Sequence, residues 1–413
     1  MTDSLLKPFR ALRPAEGREA EIVAPPYDVM NTQEAREMAD GKPWSFLHVS
    51  RAEIDLSEDT DPYSAAVYAK AGENLKKMIN AGLLVREDTP HYYVYRATMG
   101  AHVQTGIVGG ASVKAYEENR IKKHELTRPT KEDDRVNQIE AVNAQTGPVF
   151  LTYRANADLA AIYADVTAGA PLLEAQHGDG VVHQVWGVGD EDTVARILDI
   201  FTQMDALYVA DGHHRSAAAL RVAANRRTDN ADPDASYESF LTVSFPDDEV
   251  MILDYNRVVK DLNGLDTAAF LTKLEDAFDI TASDTPVGPK GPATFGLYVD
   301  GRWFKLALKN PPAANADPVD RLDVSLLTDH ILAPLLGIGD PRTDARIDFV
   351  GGARGLEGLE KRVESGEWAC AFSMYPTSLA DLMAVADANK IMPPKSTWFE
   401  PKLADGLVSL VLD

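Results

Sequence analysis

The chain has 413 residues, 45% of them hydrophobic and 25% charged, the composition of an ordinary globular protein with core enough for two or three domains. Its 41 Lys and Arg against 64 Asp and Glu leave a formal charge of −23. That balance argues against nucleic acid or an anionic membrane as the main partner, but not against a small anionic metabolite held by a local cluster of cations. A single cysteine, Cys370, excludes an internal disulfide framework and a Cys-rich zinc site.

The first residues lack the apolar run of a signal peptide, and no stretch has the length of a membrane span, so the cytoplasm is the expected compartment. Lys7–Pro14 reads as a short strand or extended arm. The adjacent prolines Pro25 and Pro26 then stiffen the chain and hold Tyr27 and Asp28 at a fixed exit, where with Arg10 they can line a pocket or merely pin the arm. From Asp61 to Leu84 the apolar spacing is helical, with Gly82 just past its end. His91–Arg96 and Gln104–Ala115 read as two strands of an antiparallel hairpin or meander.

The stretch from His124 to Arg135 is chemically dense. Thr130 followed by Asp133 has the spacing of a capping box and predicts a helix from Lys131 toward Gln145, stopped by Gly147-Pro148. His124, Glu125 and Arg128 then precede that helix, while Lys131 and Arg135 share one face at i, i+4. Arg128 and Lys131 suit an anion, and Glu125 suits a base or a metal ligand. Most charge runs of this kind are solvated surface, so its weight depends on what it meets.

Strands follow at Pro148–Tyr153 and Val181–Trp186, with helices at Asp158–Asp165 and Asp190–Met204. The chain then reaches its most informative stretch, Leu207–Leu220. An apolar strand runs into Asp211-Gly212-His213-His214-Arg215-Ser216 and on into an alanine-rich helix. A strand end feeding a helix start presents unpaired backbone N–H groups and the positive end of the helix dipole. Gly212 allows a tight turn, Arg215 can grip a phosphate or carboxylate, Asp211 can hold a cation or take a proton, and His213 and His214 can carry protons. Each residue alone has a plain structural explanation. The five together make a seat for a small anion beside acid and base groups.

Leu241–Phe245, Met251–Leu253 and Tyr255–Val259 are predicted to pair around an acidic turn at Pro246–Glu249, and Phe295–Val299 to pair with Trp303–Leu308 across Asp300-Gly301. Asp323–Leu336 reads as an amphipathic helix, Ile347–Val350 as a strand, Trp368–Phe372 as an apolar strand that buries Cys370, and Leu379–Asn389 as a helix. Near the end, Lys395, Ser396 and Thr397 share the close of a Walker loop without its glycines, and can complete an anion site or form a rigid turn. The expectation is a mixed α/β protein, with mixed sheets flanked by helices. It is read as a single catalytic unit over 1–413 without a clear linker, divisible into lobes at 1–205 and 206–413.

As a set, Lys7–Pro14, Ala24–Val29, His124–Arg135, Asp211–Arg215 and Met392–Lys402 resemble the domain-of-unknown-function 1015 family over nearly the full length. The family implies a link to the phosphorylated route to serine. The Asp211–Arg215 turn is also similar to the phosphate-gripping turn of the ParB/sulfiredoxin-like fold, a group that includes free-serine kinases, which implies such a core around that turn. On this basis the first expectation is a phosphatase acting on a small phosphomonoester, O-phosphoserine foremost. The alternatives are a nucleotide-dependent serine kinase and a sensor that binds a phosphometabolite without turnover.

In each case Arg215, Arg128 and Lys131 would clamp the phosphate, with Arg135, His124, Lys395, Ser396 and Thr397 as further phosphate contacts. Glu125 or Asp211 would orient water, take its proton or hold Mg²⁺. His213 or His214 would protonate the leaving alkoxide or act as nucleophile. The aspartate-nucleophile and Arg-His-Gly phosphatase patterns are absent, as is a glycine-rich nucleotide loop. No organic cofactor is expected, and a homodimer is compatible with the sequence.

Overall fold

In a computed structural model the described residues are 3–413 except 177, 179, 229–231 and 233. They form a mixed α/β protein that separates into two compact units. The first is Met1–Val250 with Pro401–Asp413, and the second is Met251–Glu400.

A nine-stranded mixed sheet organises the first unit. Its order is Ile121–Lys122, Leu207–Asp211, Val149–Tyr153, Ser239–Pro246, His102–Ser112, Tyr92–Met99, Val182–Val188 and Leu173–Gln176, and Leu6–Lys7 pairs beside His102–Ser112. Two pairings are parallel, Ile121–Lys122 with Leu207–Tyr208 and Val149–Tyr153 with Thr242–Pro246. The hairpin expected between the strands near 92 and 104 is present, with Tyr93 opposite Val108. Nearly continuous apolar runs such as Val149–Tyr153, all five residues buried and broken only by Thr152, mark strands covered on both faces. Leu151, Tyr153, Ile197, Phe201, Val209 and Phe240 meet in one core, each burial stabilising by roughly 1.5–3 kcal/mol.

A second core in the same unit lies under the helices Ala65–Asn80 and Pro129–Val142, with Phe46, Leu47, Val67, Ala71 and Leu75 inside it. Gly72 lets these helices touch, since a Cβ there would lie 2.8 Å from the Ala141 carbonyl oxygen. A four-stranded sheet joins Leu84–Arg86, Ala11–Pro14, Ser409–Val411 and Ala144–Gln145, which brings the C-terminal segment into this unit.

The second unit is built on a six-stranded sheet in the order Phe278–Ser283, Arg302–Leu308, Thr294–Val299, Cys370–Ser373, Tyr255–Val259, Ile347–Gly351. The turn at Asp300-Gly301 has positive φ at both residues, as the sequence leads one to expect for a tight hairpin. Cys370 is fully buried in its strand.

Three local expectations are corrected. Ser239–Pro246 does not pair with Met251–Val259. It lies between two strands of the nine-stranded sheet, while Met251–Leu253 pairs with Trp398–Glu400 and Tyr255–Val259 with Ile347–Gly351 and Cys370–Ser373. The chain passes from one unit to the other at the acidic turn, so the turn joins two sheets rather than two neighbours. The capping box at Thr130 does not form either. Pro129 occupies the first turn and starts the helix early, so Thr130 is already helical, and Asp133 pairs with Arg221 instead. The helix expected over Asp323–Leu336 is α-helical only to Leu327 and widens to π-type over Thr328–Leu332.

The sheet centre tolerates no added atom at Gly106, where a Cβ would come within 2.3 Å of the Ser244 carbonyl oxygen and 2.7 Å of the Phe245 ring. Gly106→Ala is therefore expected to destabilise the first unit by about 1–3 kcal/mol. Denaturant unfolding followed by near-ultraviolet circular dichroism measures this, and an unchanged midpoint would contradict the packing described.

Candidate functional site

The site begins where Leu207–Asp211 ends. Its first four residues are buried, and the chain turns at Gly212 (φ 94°, ψ 27°) into the helix His213–Arg226. Gly212 is required twice over. Its conformation is left-handed, and a Cβ would lie 3.3 Å from Val149 Cα. The helix therefore starts with no side chain on its capping residue.

Asp211 sits at the mouth of the turn with its side chain 44% exposed. One carboxylate oxygen accepts from the Gly212 N–H at 2.7 Å and the other from Lys402 Nζ at 3.0 Å. Burial of the surroundings works against its charge, but Lys402 and Arg215 outweigh it and hold the carboxyl well below the usual carboxylate range. Arg215 points inward. Its Nη1 donates to the Pro148 carbonyl at 2.8 Å and its Nη2 to Asp28 at 3.1 Å, while Nε is buried without a partner. Desolvation disfavours this cation, and Asp28, Tyr27 and Asp405 reverse that and keep it charged.

Tyr27 lies between two guanidinium groups, with Arg135 Cζ 3.8 Å and Arg215 Cζ 5.2 Å from the ring centre. Arg135 is neutralised by Asp134 at 2.7 Å. Asp405, 1% exposed, has one carboxylate oxygen without a partner. That oxygen and Arg215 Nε both face the bare Cα of Gly147, at 3.2 and 3.5 Å from where a Cβ would stand. Burial pushes the Asp405 carboxyl up to about 7 against the pull of Arg215.

The two dense stretches of sequence meet here. His214 Nε2 accepts the Arg128 backbone N–H at 3.0 Å. Because a backbone amide can only donate, that nitrogen is unprotonated, and desolvation, Arg128 and Lys131 push the imidazole pKa down. Arg128 itself is exposed, and Lys131 donates to the Tyr63 hydroxyl at 2.7 Å. Among the described residues neither has a carboxylate partner.

A groove of about 980 Å³ starts at Tyr63 and runs between Ala65–Asn80 and Pro129–Val142, past Tyr68, Gly72, Asn137 and Glu140. On the other side of the turn, the His124 and His213 rings meet edge to face with centres 4.4 Å apart. Both are buried, His124 Nδ1 and His213 Nε2 have no hydrogen-bond partner among the described residues, and the donor atoms of His124, Glu125 and His213 all lie within 4.8 Å of one another. This is the group whose donors could converge on a metal, whereas the Asp211 carboxylate is engaged by Lys402 and Gly212.

Thus Asp211, His213, His214, Arg215, His124, Glu125, Arg128, Lys131 and Arg135 all belong to the first unit. Lys395, Ser396 and Thr397 belong to the second. There Lys395 has φ 58° with its Nζ 5.5 Å from the Tyr255 ring centre, and Ser396 Oγ donates to the Pro393 carbonyl at 2.6 Å. Lys402 and Asp405 were not singled out from the sequence. They reach the turn because Asp405 pairs through both backbone groups with Ala24, a contact no local spacing announces.

Burial also lowers the His124 pKa, to about 4 from an ordinary 6.5, and pushes His213 well below 6.5. Both imidazoles are neutral at pH 7. An unfolded chain takes up a proton on His124 below pH 6.5 while the folded chain refuses it until about pH 4, so stability is lost as pH falls through that window. The loss is on the order of 3 kcal/mol. With a chelator present, His124→Gln is expected to flatten the decline in unfolding free energy between pH 6.5 and 4. Parallel curves for the two proteins would contradict the assignment.

No curated protein matches the chain closely enough to count as a relative. Among solved structures, a free serine kinase in complex with AMP is similar at 12% identity, over 73% of this chain and 92% of that one, with a TM-score of 0.35. SbnI from Staphylococcus aureus with a C-terminal truncation is similar at 11% identity, over 72% and 85%, with a TM-score of 0.38. A conserved hypothetical protein from Pyrococcus furiosus is similar at 13%, over 73% and 93%, with a TM-score of 0.34. Residues 6–325 match the family described as "Protein of unknown function (DUF1015)", and the chain belongs to that family.

Proposed function

We propose that the first unit transfers a phosphoryl group from a nucleotide to the hydroxyl of a small metabolite, with L-serine as the first substrate to test. The reading stands on the turn and not on the fold likeness. The observation that carries it is the pair Arg128 and Lys131, two cations without a carboxylate partner among the described residues, acting on His214 in the first turn of His213–Arg226. An N-terminus flanked by unpaired cations attracts phosphate. The groove starting at Tyr63, the hydroxyl that Lys131 meets, has room for a base and ribose.

Transfer and hydrolysis make different demands on the proton chemistry of the site. Releasing an alkoxide from a phosphomonoester calls for a proton donor, whereas His124 and His213 are neutral and His214 Nε2 is occupied by an amide. Phosphorylating a hydroxyl calls instead for an acceptor. Asp211, held strongly ionised, is too weak a base and suits orientation of cationic groups. Asp405, pushed up to about 7, is half protonated near neutral pH and can take a proton in transfer or give one in hydrolysis.

Purified protein with L-serine and either ATP or ADP is expected to form O-phosphoserine, read by phosphorus NMR. Phosphate release from O-phosphoserine without nucleotide would favour the phosphatase reading, and saturable binding with no turnover would favour a sensor. Arg128→Ala and Lys131→Ala are each expected to raise the KM for nucleotide about 10–100-fold, the loss of one charge-assisted contact, with the fold intact. Unchanged KM values would remove the anion seat.

If Asp405 takes the proton, kcat rises with pH through about 7. Asp405→Asn is then expected to lower kcat by about 10²–10⁴-fold and to abolish that limb while leaving the nucleotide KM little changed. A retained limb would assign the proton elsewhere.

A further inference from the structure

We propose that His124, Glu125 and His213 form a binding site for one borderline first-row divalent ion, Zn²⁺ foremost, and not for Mg²⁺. The two histidines are positioned by the sheet. Ile121 pairs in parallel with Leu207 and Lys122 with Tyr208, so the chain leaves two adjacent strands side by side and delivers His124 and His213 to the same end. The two residues are 2% and 4% exposed, and each has a ring nitrogen with no hydrogen-bond partner among the described residues. Two orphaned buried ring nitrogens in one spot are rare and call for an explanation.

A shared cation supplies one. The unpartnered atoms are His124 Nδ1 and His213 Nε2, and the His124 ring also hydrogen-bonds the Val209 backbone, the outer contact that fixes the tautomer and aim of a ligating imidazole. Glu125, on an exposed loop, brings the third donor within 4.8 Å of the other two.

The donor chemistry selects the ion. Mg²⁺ prefers an octahedron of oxygens and keeps several waters, so two imidazoles suit it poorly. Two imidazoles and one carboxylate suit Zn²⁺, Co²⁺ or Ni²⁺, and three protein ligands leave a position open for water or a substrate oxygen. The negative charge on Asp211 acts on His213 and favours a cation there, against the opposing charge of Lys123.

The test uses the full chain after chelator treatment. Titration calorimetry with Zn²⁺ is expected to show one ion bound per chain, and millimolar Mg²⁺ is not expected to compete. Co²⁺ is expected to give the intense visible bands of a four- or five-coordinate site. His124→Ala should weaken Zn²⁺ binding by more than the about 10–100-fold that an outer contact costs. Glu125→Gln, at an exposed position where the fold is safe, should weaken it and shift the Co²⁺ spectrum.

Absence of stoichiometric Zn²⁺ binding, full competition by Mg²⁺, or unchanged affinity and spectrum in Glu125→Gln would overturn the proposal. It does not depend on phosphoryl transfer. Metal binding without transfer would leave it standing, and transfer without Zn²⁺ binding would remove it alone.

Discussion

Two residues of parallel strand pairing, Ile121 against Leu207 and Lys122 against Tyr208, set the geometry on which the site depends. Ladder hydrogen bonds leave little freedom along the strand, so the loop from Lys123 and the turn from Asp211 emerge in register. Everything chemical near the turn is within a few residues of that pairing or is brought to it by a second anchor. One such anchor is the Ala24–Asp405 bridge, which delivers Lys402 and Asp405 from the end of the chain and Tyr27 and Asp28 from its beginning. In open α/β sheets ligands gather where strand ends diverge, and this one has two strand ends, a helix start and a returning terminus in one place.

The charge arrangement follows from the same placement. A chain of formal charge −23 can bind an anion only where cations are concentrated and left partly unmatched. Arg215 is matched by Asp28, Arg135 by Asp134 and Lys402 by Asp211, so these three ion pairs add little net field. Arg128 and Lys131 sit one step outward, where no carboxylate answers them among the described residues. Among the described residues, Arg128 and Lys131 thus carry the positive charge of the site that no carboxylate answers.

The strand-turn-helix at Leu207–Leu220 was legible in the sequence because its signals are local: an apolar run, a glycine that must be left-handed, an alanine-rich continuation. The mixed α/β architecture was legible for the same reason. Strand partners were not. Ser239–Pro246 looks from its neighbours like one arm of a hairpin, yet its near-complete burial reflects a place inside the large sheet, and burial on two faces depends on elements 100 residues away. Lys402 was invisible for a related reason, since its partner Asp211 is 191 positions distant. The Thr130 capping box failed on a competing local rule, Pro129 being the stronger helix starter.

Two pairs of like groups are driven to opposite tasks by surroundings alone. Asp211, beside Lys402 and Arg215, keeps its charge throughout the physiological range, while Asp405, buried with one oxygen bare, hovers near neutrality. His214 has its Nε2 lone pair filled by the Arg128 amide, while His213, one residue away on the helix, keeps its own bare and meets His124. A helix advances about 100° per residue, so neighbours in sequence face different partners. The doubled histidine is therefore not redundant. One member ties the loop to the helix, and the other is left with a ring nitrogen that no hydrogen bond uses among the described residues.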